Sequence, residues 1–162
     1  MIKEYSVGGY VKLAKLWERN RDNAIAYHQE YYKQKCINDD VCDLFDVYVD
    51  ITGSKDICKR PEMLRLMRDC AEGKVNLIAA QTRAYLAGNI RELCYWLNFI
   101  FNLRERVDII TEDEDFNIDT ILNEDNQREA LEKMAEDFIY LNPPDQKKWL
   151  EEIVTAIANL ND

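Results

Sequence analysis

The chain has 162 residues, room for one domain at about 100–200 residues each, and its 47% hydrophobic and 32% charged content supports a buried core and excludes a disordered polymer. Five Gly and three Pro exclude collagen-like and linker-rich chains and disfavour an all-β fold with many turns. The net charge of −10 is concentrated late: residues 108–162 carry sixteen acidic side chains against Arg128, Lys133, Lys147 and Lys148, a surface that repels the phosphates of a duplex.

In chain order, residues 10–13 form a short apolar-leaning run that predicts a first strand, and Asp22 suits the cap of a helix carrying Ile25, Tyr31 and Tyr32 towards Cys36. Phe45, Val47, Val49 and Ile51 alternate with Asp46, Tyr48 and Asp50, the period of two of a half-buried strand, and a loop through Gly53 follows. Pro61 suits a first helical turn, Met63, Leu64, Leu66, Met67 and Cys70 make one apolar stripe, and Gly73 suits the stop. Residues 75–80, apolar almost throughout, predict a strand covered on both faces. Ile90, Leu93, Cys94, Trp96, Leu97, Ile100 and Phe101 recur at spacings of three and four, a helix, and residues 107–110 give another buried strand. This alternation predicts an α/β class, a three-layer α/β/α fold with a mostly parallel central sheet, because parallel neighbours require long right-handed crossovers.

Beyond Thr111 an acidic run at 112–115 precedes Phe116 and Ile118, which suit a short edge strand. Two helices close the chain, one through Leu131, Met134 and Phe138, the other after Pro143-Pro144 through Trp149, Leu150, Ile153, Val154 and Ile157. Residues 1–122 are expected to form the α/β domain and residues 123–162 a helical extension, packed on it or making a dimer seam.

Cys36, Cys42, Cys58, Cys70 and Cys94 include no Cys-x-x-Cys pair, and His28 is the single histidine, so no metal site and no cofactor is expected. Cys70 and Cys94 sit among apolar residues at helical spacing, which favours packing over redox work. The opening Met1-Ile2-Lys3-Glu4-Tyr5 lacks the apolar run of a signal peptide, and no stretch approaches the about 18 apolar residues of a membrane span. A cytoplasmic location with reduced thiols and no membrane partner is expected.

Tyr10-Val11-Lys12-Leu13-Ala14, Asp50-Ile51-Thr52-Gly53-Ser54 leading to Arg60-Pro61, residues 75–89, and Val107-Asp108-Ile109-Ile110 resemble, in order and spacing, the catalytic domain of serine recombinases, the resolvases and invertases. The likeness covers most of residues 8–140 and includes Ile118-Asp119-Thr120. It implies a resolvase-like fold and a relation to DNA recombination. In that family a serine at the end of the first strand attacks a DNA phosphodiester and becomes linked to the 5′ phosphate, while clustered arginines stabilise the transition state.

This chain departs from the family at those positions. The family's Arg-x-Ser reads Lys12-Leu13-Ala14, so Ala14 stands where the attacking hydroxyl is required. The family's Asp-Arg-Leu-x-Arg-Asn reads Ala84-Tyr85-Leu86-Ala87-Gly88-Asn89, and only Leu86 and Asn89 keep the pattern. Arg60 matches the arginine before proline, and Lys12 keeps a positive charge without the planar fork that grips phosphate, which makes these two the candidate phosphate contacts. Lys12, Ala14, Arg60, Ala84, Tyr85 and Gly88 thus form a vestigial site with no intact catalytic set. Losing one charge-stabilising donor typically costs about 10²- to 10³-fold in rate, and several are replaced here.

The resemblance therefore implies a pseudoenzyme of mobile-element type, an association or regulatory module that works as a homodimer or with a recombinase-family protein and binds DNA weakly if at all. Where the family's long helix enters DNA with basic residues, this chain carries Glu124, Asp125, Glu129, Glu132, Glu136 and Asp137, and no helix-turn-helix or zinc ribbon follows. Two alternatives stand beside it. One is an active strand-exchange or cleavage enzyme with a relocated nucleophile at Ser54 or Tyr85, although Ser54 suits a turn. The other is a flavodoxin-like module taking an anion or nucleotide at the strand ends, without a Gly-rich phosphate loop in its favour. His28 suits a surface or satisfied core position better than a general base, and Lys12, Lys15, Arg19 and Arg21 around Trp17 suit either a phosphate contact or a solvated helix start.

Overall fold

The computed structural model describes residues 4–112 and 125–160. Strand β1 (Tyr5–Leu13) is inside a four-stranded sheet of order β2-β1-β3-β4, with β2 at Cys42–Ile51, β3 at Leu77–Ala80 and β4 at Asp108–Thr111. All neighbouring pairs are parallel. β1 starts well before the apolar run that predicts it. Ser6, Gly8 and Gly9 carry little strand propensity of their own, and pairing on both sides supplies what the local sequence lacks.

Helix α1 (Arg21–Ile37) covers one face, where Tyr32 packs with Val7, Val11, Val47, Val49, Leu77 and Ile110. Helices α2 (Pro61–Ala71) and α3 (Ile90–Phe101) cover the other, over Tyr10, Tyr48, Ile78, Ala80 and Ile109. This is the three-layer α/β/α arrangement expected from the alternation. The α2 stripe read from the sequence is buried throughout, Met63, Leu64, Leu66, Met67 and Cys70; on α3 Cys94, Trp96, Leu97 and Ile100 are buried, Leu93 and Phe101 are half-buried, and Ile90, in the first turn, is exposed. Burial raises the Cys70 thiol to about 12, so it packs as an inert apolar group.

Helices α4 (Asp125–Leu141) and α5 (Pro143–Ala158) lie outside α3 and α2. Leu131, Met134 and Phe138 of α4 and Trp149 and Ile157 of α5 reach the same core, with Ile153 fully buried. Tyr95 of α3 meets the rings of Phe138 at 6.0 Å and Trp149 at 5.7 Å. Arg128 fixes α4 to the strand end by donating to the Val107 carbonyl and to Asp108 Oδ1, both at 2.7 Å. Their apolar faces are thus used against α2 and α3 within the chain, and Glu129, Glu136 and Asp137 face outward. α5 begins at Pro143 itself, since a first-turn residue needs no N–H. The edge strand expected at Phe116 and Ile118, and Ile118-Asp119-Thr120, lie outside the described residues. No described helix is long and apolar enough to cross a membrane.

The close approach of both layers to β1 depends on two glycines. A Cβ at Gly8 would stand 2.8 Å from Leu66 Cδ1 of α2, and one at Gly9 would stand 2.7 Å from the Tyr32 ring of α1. Leu66 Cδ1 is the end of a flexible side chain that can shift, whereas Gly9 faces three atoms of the rigid Tyr32 ring at 2.7, 2.8 and 2.9 Å. Gly9→Ala is expected to lower unfolding free energy by about 1–3 kcal/mol, the usual cost of overpacking, and Gly8→Ala by less. Urea denaturation of the two variants measures the difference.

Candidate functional site

The positions matched to the family, Lys12, Ala14, Arg60, Ala84, Tyr85 and Gly88, lie at and beyond the C-terminal ends of β1, β2 and β3. β1 and β2 run in register to their ends, Lys12 opposite Asp50 and Leu13 opposite Ile51, and the Thr52 N–H donates to the Leu13 carbonyl at 3.0 Å. Alternation along β1 turns Tyr10 and Lys12 towards α2 and α3, and Val11 and Leu13 towards α1. Ala14 follows as an exposed residue that opens a 3-10 segment, Lys15–Asn20.

Asp50 is 4% exposed and makes three hydrogen bonds. Oδ2 accepts from the Tyr10 hydroxyl at 2.8 Å and from the Met63 N–H at 2.9 Å, and Oδ1 accepts from the Glu62 N–H at 3.0 Å. Arg60 is the N-cap residue of α2 and gives no side-chain cap. The carboxyl of Asp50, arriving from the neighbouring strand, takes that place and satisfies two orphan donors of the first turn. Burial raises its pKa, against the Glu62, Tyr10 and Met63 hydrogen bonds that favour the charged form.

Arg60 is fully buried. Its Nη1 donates to the carbonyls of Tyr85 at 2.8 Å and Leu86 at 3.4 Å, its Nη2 donates to the Lys55 carbonyl at 3.0 Å, and its Nε has no partner. The guanidinium therefore ties the loop after β2 to the loop after β3 and offers no surface to a phosphate in this conformation. Lys12 is half-buried and its Nζ donates to the Thr52 carbonyl at 3.4 Å. Its pKa is lowered, first by burial and then by the charges of Arg60 and Lys55.

After β3, Thr82 caps a short turn, Arg83–Tyr85, through its hydroxyl and the Ala84 N–H at 3.3 Å. Ala84 is exposed, Tyr85 is half-buried against both core clusters, and Gly88 lies under Lys55, whose Cβ would be 3.3 Å from a Cβ there. Ser54 is a turn residue here: its N–H donates to Thr52 Oγ1 at 3.0 Å and its Oγ accepts from the Asp56 N–H at 3.3 Å. Sequence reasoning passed over Tyr10 as a strand residue, and it passed over Glu92. That carboxylate is 7% exposed, accepts from the Ile57 N–H at 2.6 Å, and has its pKa raised by burial. The signal available for Glu92 was its place in the first turn after Asn89, which does cap the helix at 2.9 Å.

No family model matches the chain, and no curated protein matches it. Among solved structures it is similar to the N-terminal catalytic domain of TP901-1 integrase, with a TM-score of 0.57 over 85% of this chain and 98% of that one, at 16% identity. The chain has the fold of an integrase catalytic domain. At that identity the likeness is one of architecture, and it agrees with the resolvase-like fold that the fragments at β1, β2 and β3 imply.

Asp50→Asn is expected to cost about 1–3 kcal/mol, because its amide nitrogen cannot accept from the Met63 N–H. The sign of the pH effect follows from the raised pKa. The stability Asp50 contributes by its protonation is complete below its ordinary value of 3.8 and is lost as pH rises through the raised value, so that part of the pH slope should vanish in the variant. Urea midpoints across the acid range read both effects. Arg60→Lys is expected to lose about 2–3 kcal/mol, since one ammonium cannot span three carbonyls on two loops, and thermal unfolding checks it.

Proposed function

We propose that this chain is a recombinase-related module without strand-exchange chemistry, acting by association with a second copy or with a recombinase-family protein. The observation that carries the reading is Ala14 at the end of β1, a methyl group where the resemblance requires an attacking oxygen. Support comes from the neighbouring groups. Arg60 is buried on carbonyls, Lys12 leans on Thr52, and Ala84, Tyr85 and Gly88 are uncharged, although Arg83 opens the same turn. A phosphoryl transition state spreads charge over its equatorial oxygens, and only preorganised donors stabilise it.

The association surface we infer is the outer face of α4 and α5. It carries Glu129, Glu136, Asp137, Glu151 and Glu152 in excess over the exposed Lys133, Lys147 and Lys148, and Tyr140 and Leu141 at the turn between the helices are 84% and 75% exposed. Acidic groups around an apolar tip suit a basic protein surface and oppose a DNA backbone.

Purified protein incubated with supercoiled plasmid and with duplex DNA should give no covalent adduct on a denaturing gel. Ala14→Ser should give none either, because the surrounding donors stay committed to backbone carbonyls. An adduct with the unmodified protein would overturn the proposal. Light scattering should show a mass above one chain, reduced by Tyr140→Asp with Leu141→Asp.

A further inference from the structure

On the α1 side of the sheet, next to Ala14, a crevice of about 600 Å³ opens between the ends of β1 and β3, lined by Leu13 of β1, by Gln81 just after β3, and by Trp17, Asn20, Asn23, Tyr27 and His28 from α1 and the segment before it. In the order β2-β1-β3-β4, the chain leaves β1 towards one edge and returns as β3 on its other side, so this is the point where the strand order switches. Open parallel sheets form ligand crevices at that point, outside the carboxyl ends of the strands. The volume falls within the about 300–1,000 Å³ of small-molecule sites.

The lining is specific in kind. Trp17 and Tyr27 are 45% and 65% exposed, and the His28 ring stands edge-on to Tyr27 at 5.0 Å. Asn20 occupies the N-cap of α1, where its side chain would ordinarily accept from the helix, yet it makes no capping bond. His28 is 8% exposed and its Nδ1 has no hydrogen-bond partner, which is costly for a buried polar atom. Gln81 and Asn23 add two further carboxamides at the rim, and each carboxamide offers both a donor and an acceptor. Aromatic faces beside paired donors and acceptors are what a planar nucleobase requires, a π-surface to stack on and groups for its Watson–Crick edge. Lys15 and Arg19 are exposed in the same short segment as Trp17, outside the crevice lining, and their long side chains are the nearest cations in sequence for a phosphate projecting from its mouth.

We propose that this crevice binds a free mononucleotide, with the base stacked on Trp17 and Tyr27, its edge read by Asn20, Asn23 and Gln81, and its phosphate directed to Lys15 and Arg19. A free nucleotide fits better than a strand. A polynucleotide must neutralise many phosphates, and the chain is acidic with only a small local group of cations. None of Lys12, Ala14, Arg60, Ala84, Tyr85 or Gly88 lines the crevice, so the site stands or falls apart from the proposal on recombination.

Trp17 is a natural reporter, because Trp96 is fully buried and Trp149 half-buried. The test titrates AMP, GMP, CMP and UMP against Trp fluorescence and calorimetry, with ribose 5-phosphate and a short single-stranded oligonucleotide as controls. At least one mononucleotide should bind saturably with one-to-one stoichiometry and quench Trp17, while ribose 5-phosphate does not bind. Trp17→Ala should weaken that affinity about tenfold or more, Trp17→Phe should retain most of it, and Gln81→Ala should change the preference among bases. Failure of all four mononucleotides to bind calorimetrically to the unmodified protein would overturn the proposal. So would equal binding of ribose 5-phosphate, an unchanged affinity in a folded Trp17→Ala protein, or tighter, steeply salt-dependent binding of the oligonucleotide.

Discussion

The buried carboxyl of Asp50 is the interaction on which the upper end of the molecule depends. It is placed on β2, it receives the Tyr10 hydroxyl from β1, and it receives two N–H groups from the first turn of α2. One side chain thus fixes the relative position of two strands and a helix, and a low-dielectric site makes each of those bonds costly to lose. Arg60, at the N-terminal boundary of the same helix, extends the arrangement to the loops after β2 and β3 through three carbonyls. The strand ends are consequently held by groups whose polar atoms face inward.

That inward commitment limits what the strand ends can do chemically. In a phosphoryl-transfer site, guanidinium groups must present N–H donors to an incoming phosphate, and the donors must be in place beforehand. Here Arg60 is buried on backbone carbonyls, and burial among like charges also disfavours the charged form of Lys12. The α/β/α layers are stabilised by apolar burial on both faces of the sheet, and Tyr85 packs against both clusters. The crevice on the α1 side has the reverse character, with aromatic and carboxamide groups turned to the opening.

Much of this was legible from residue patterns. The stripe from Met63 to Cys70 and the one from Ile90 to Phe101 gave α2 and α3 because an amphipathic helix must bury one face, whatever it packs on. The alternation before Ile51 gave β2 but not its burial: Tyr48 and Asp50, on the face expected to be polar, are covered by α2, and Phe45 is exposed. The early half of β1 was not legible, since Gly8 and Gly9 are selected there by the approach of Leu66 and Tyr32, which are distant in sequence. Tyr10 and Glu92 escaped notice for the same reason: their partners Asp50 and Ile57 lie on other elements.

By itself, the sequence determined the layer architecture, the parallel sheet, the acidic character of the terminal helices and the absence of a hydroxyl at position 14, because each follows from local periodicity, charge or residue identity. Only the tertiary structure decided which way Arg60 points, where the apolar faces of the last two helices go, and that Trp17, Tyr27, His28 and Gln81 share one crevice. Those facts are set by contacts between residues far apart along the chain, and a one-dimensional pattern carries no record of which distant carbonyl or ring a side chain will meet.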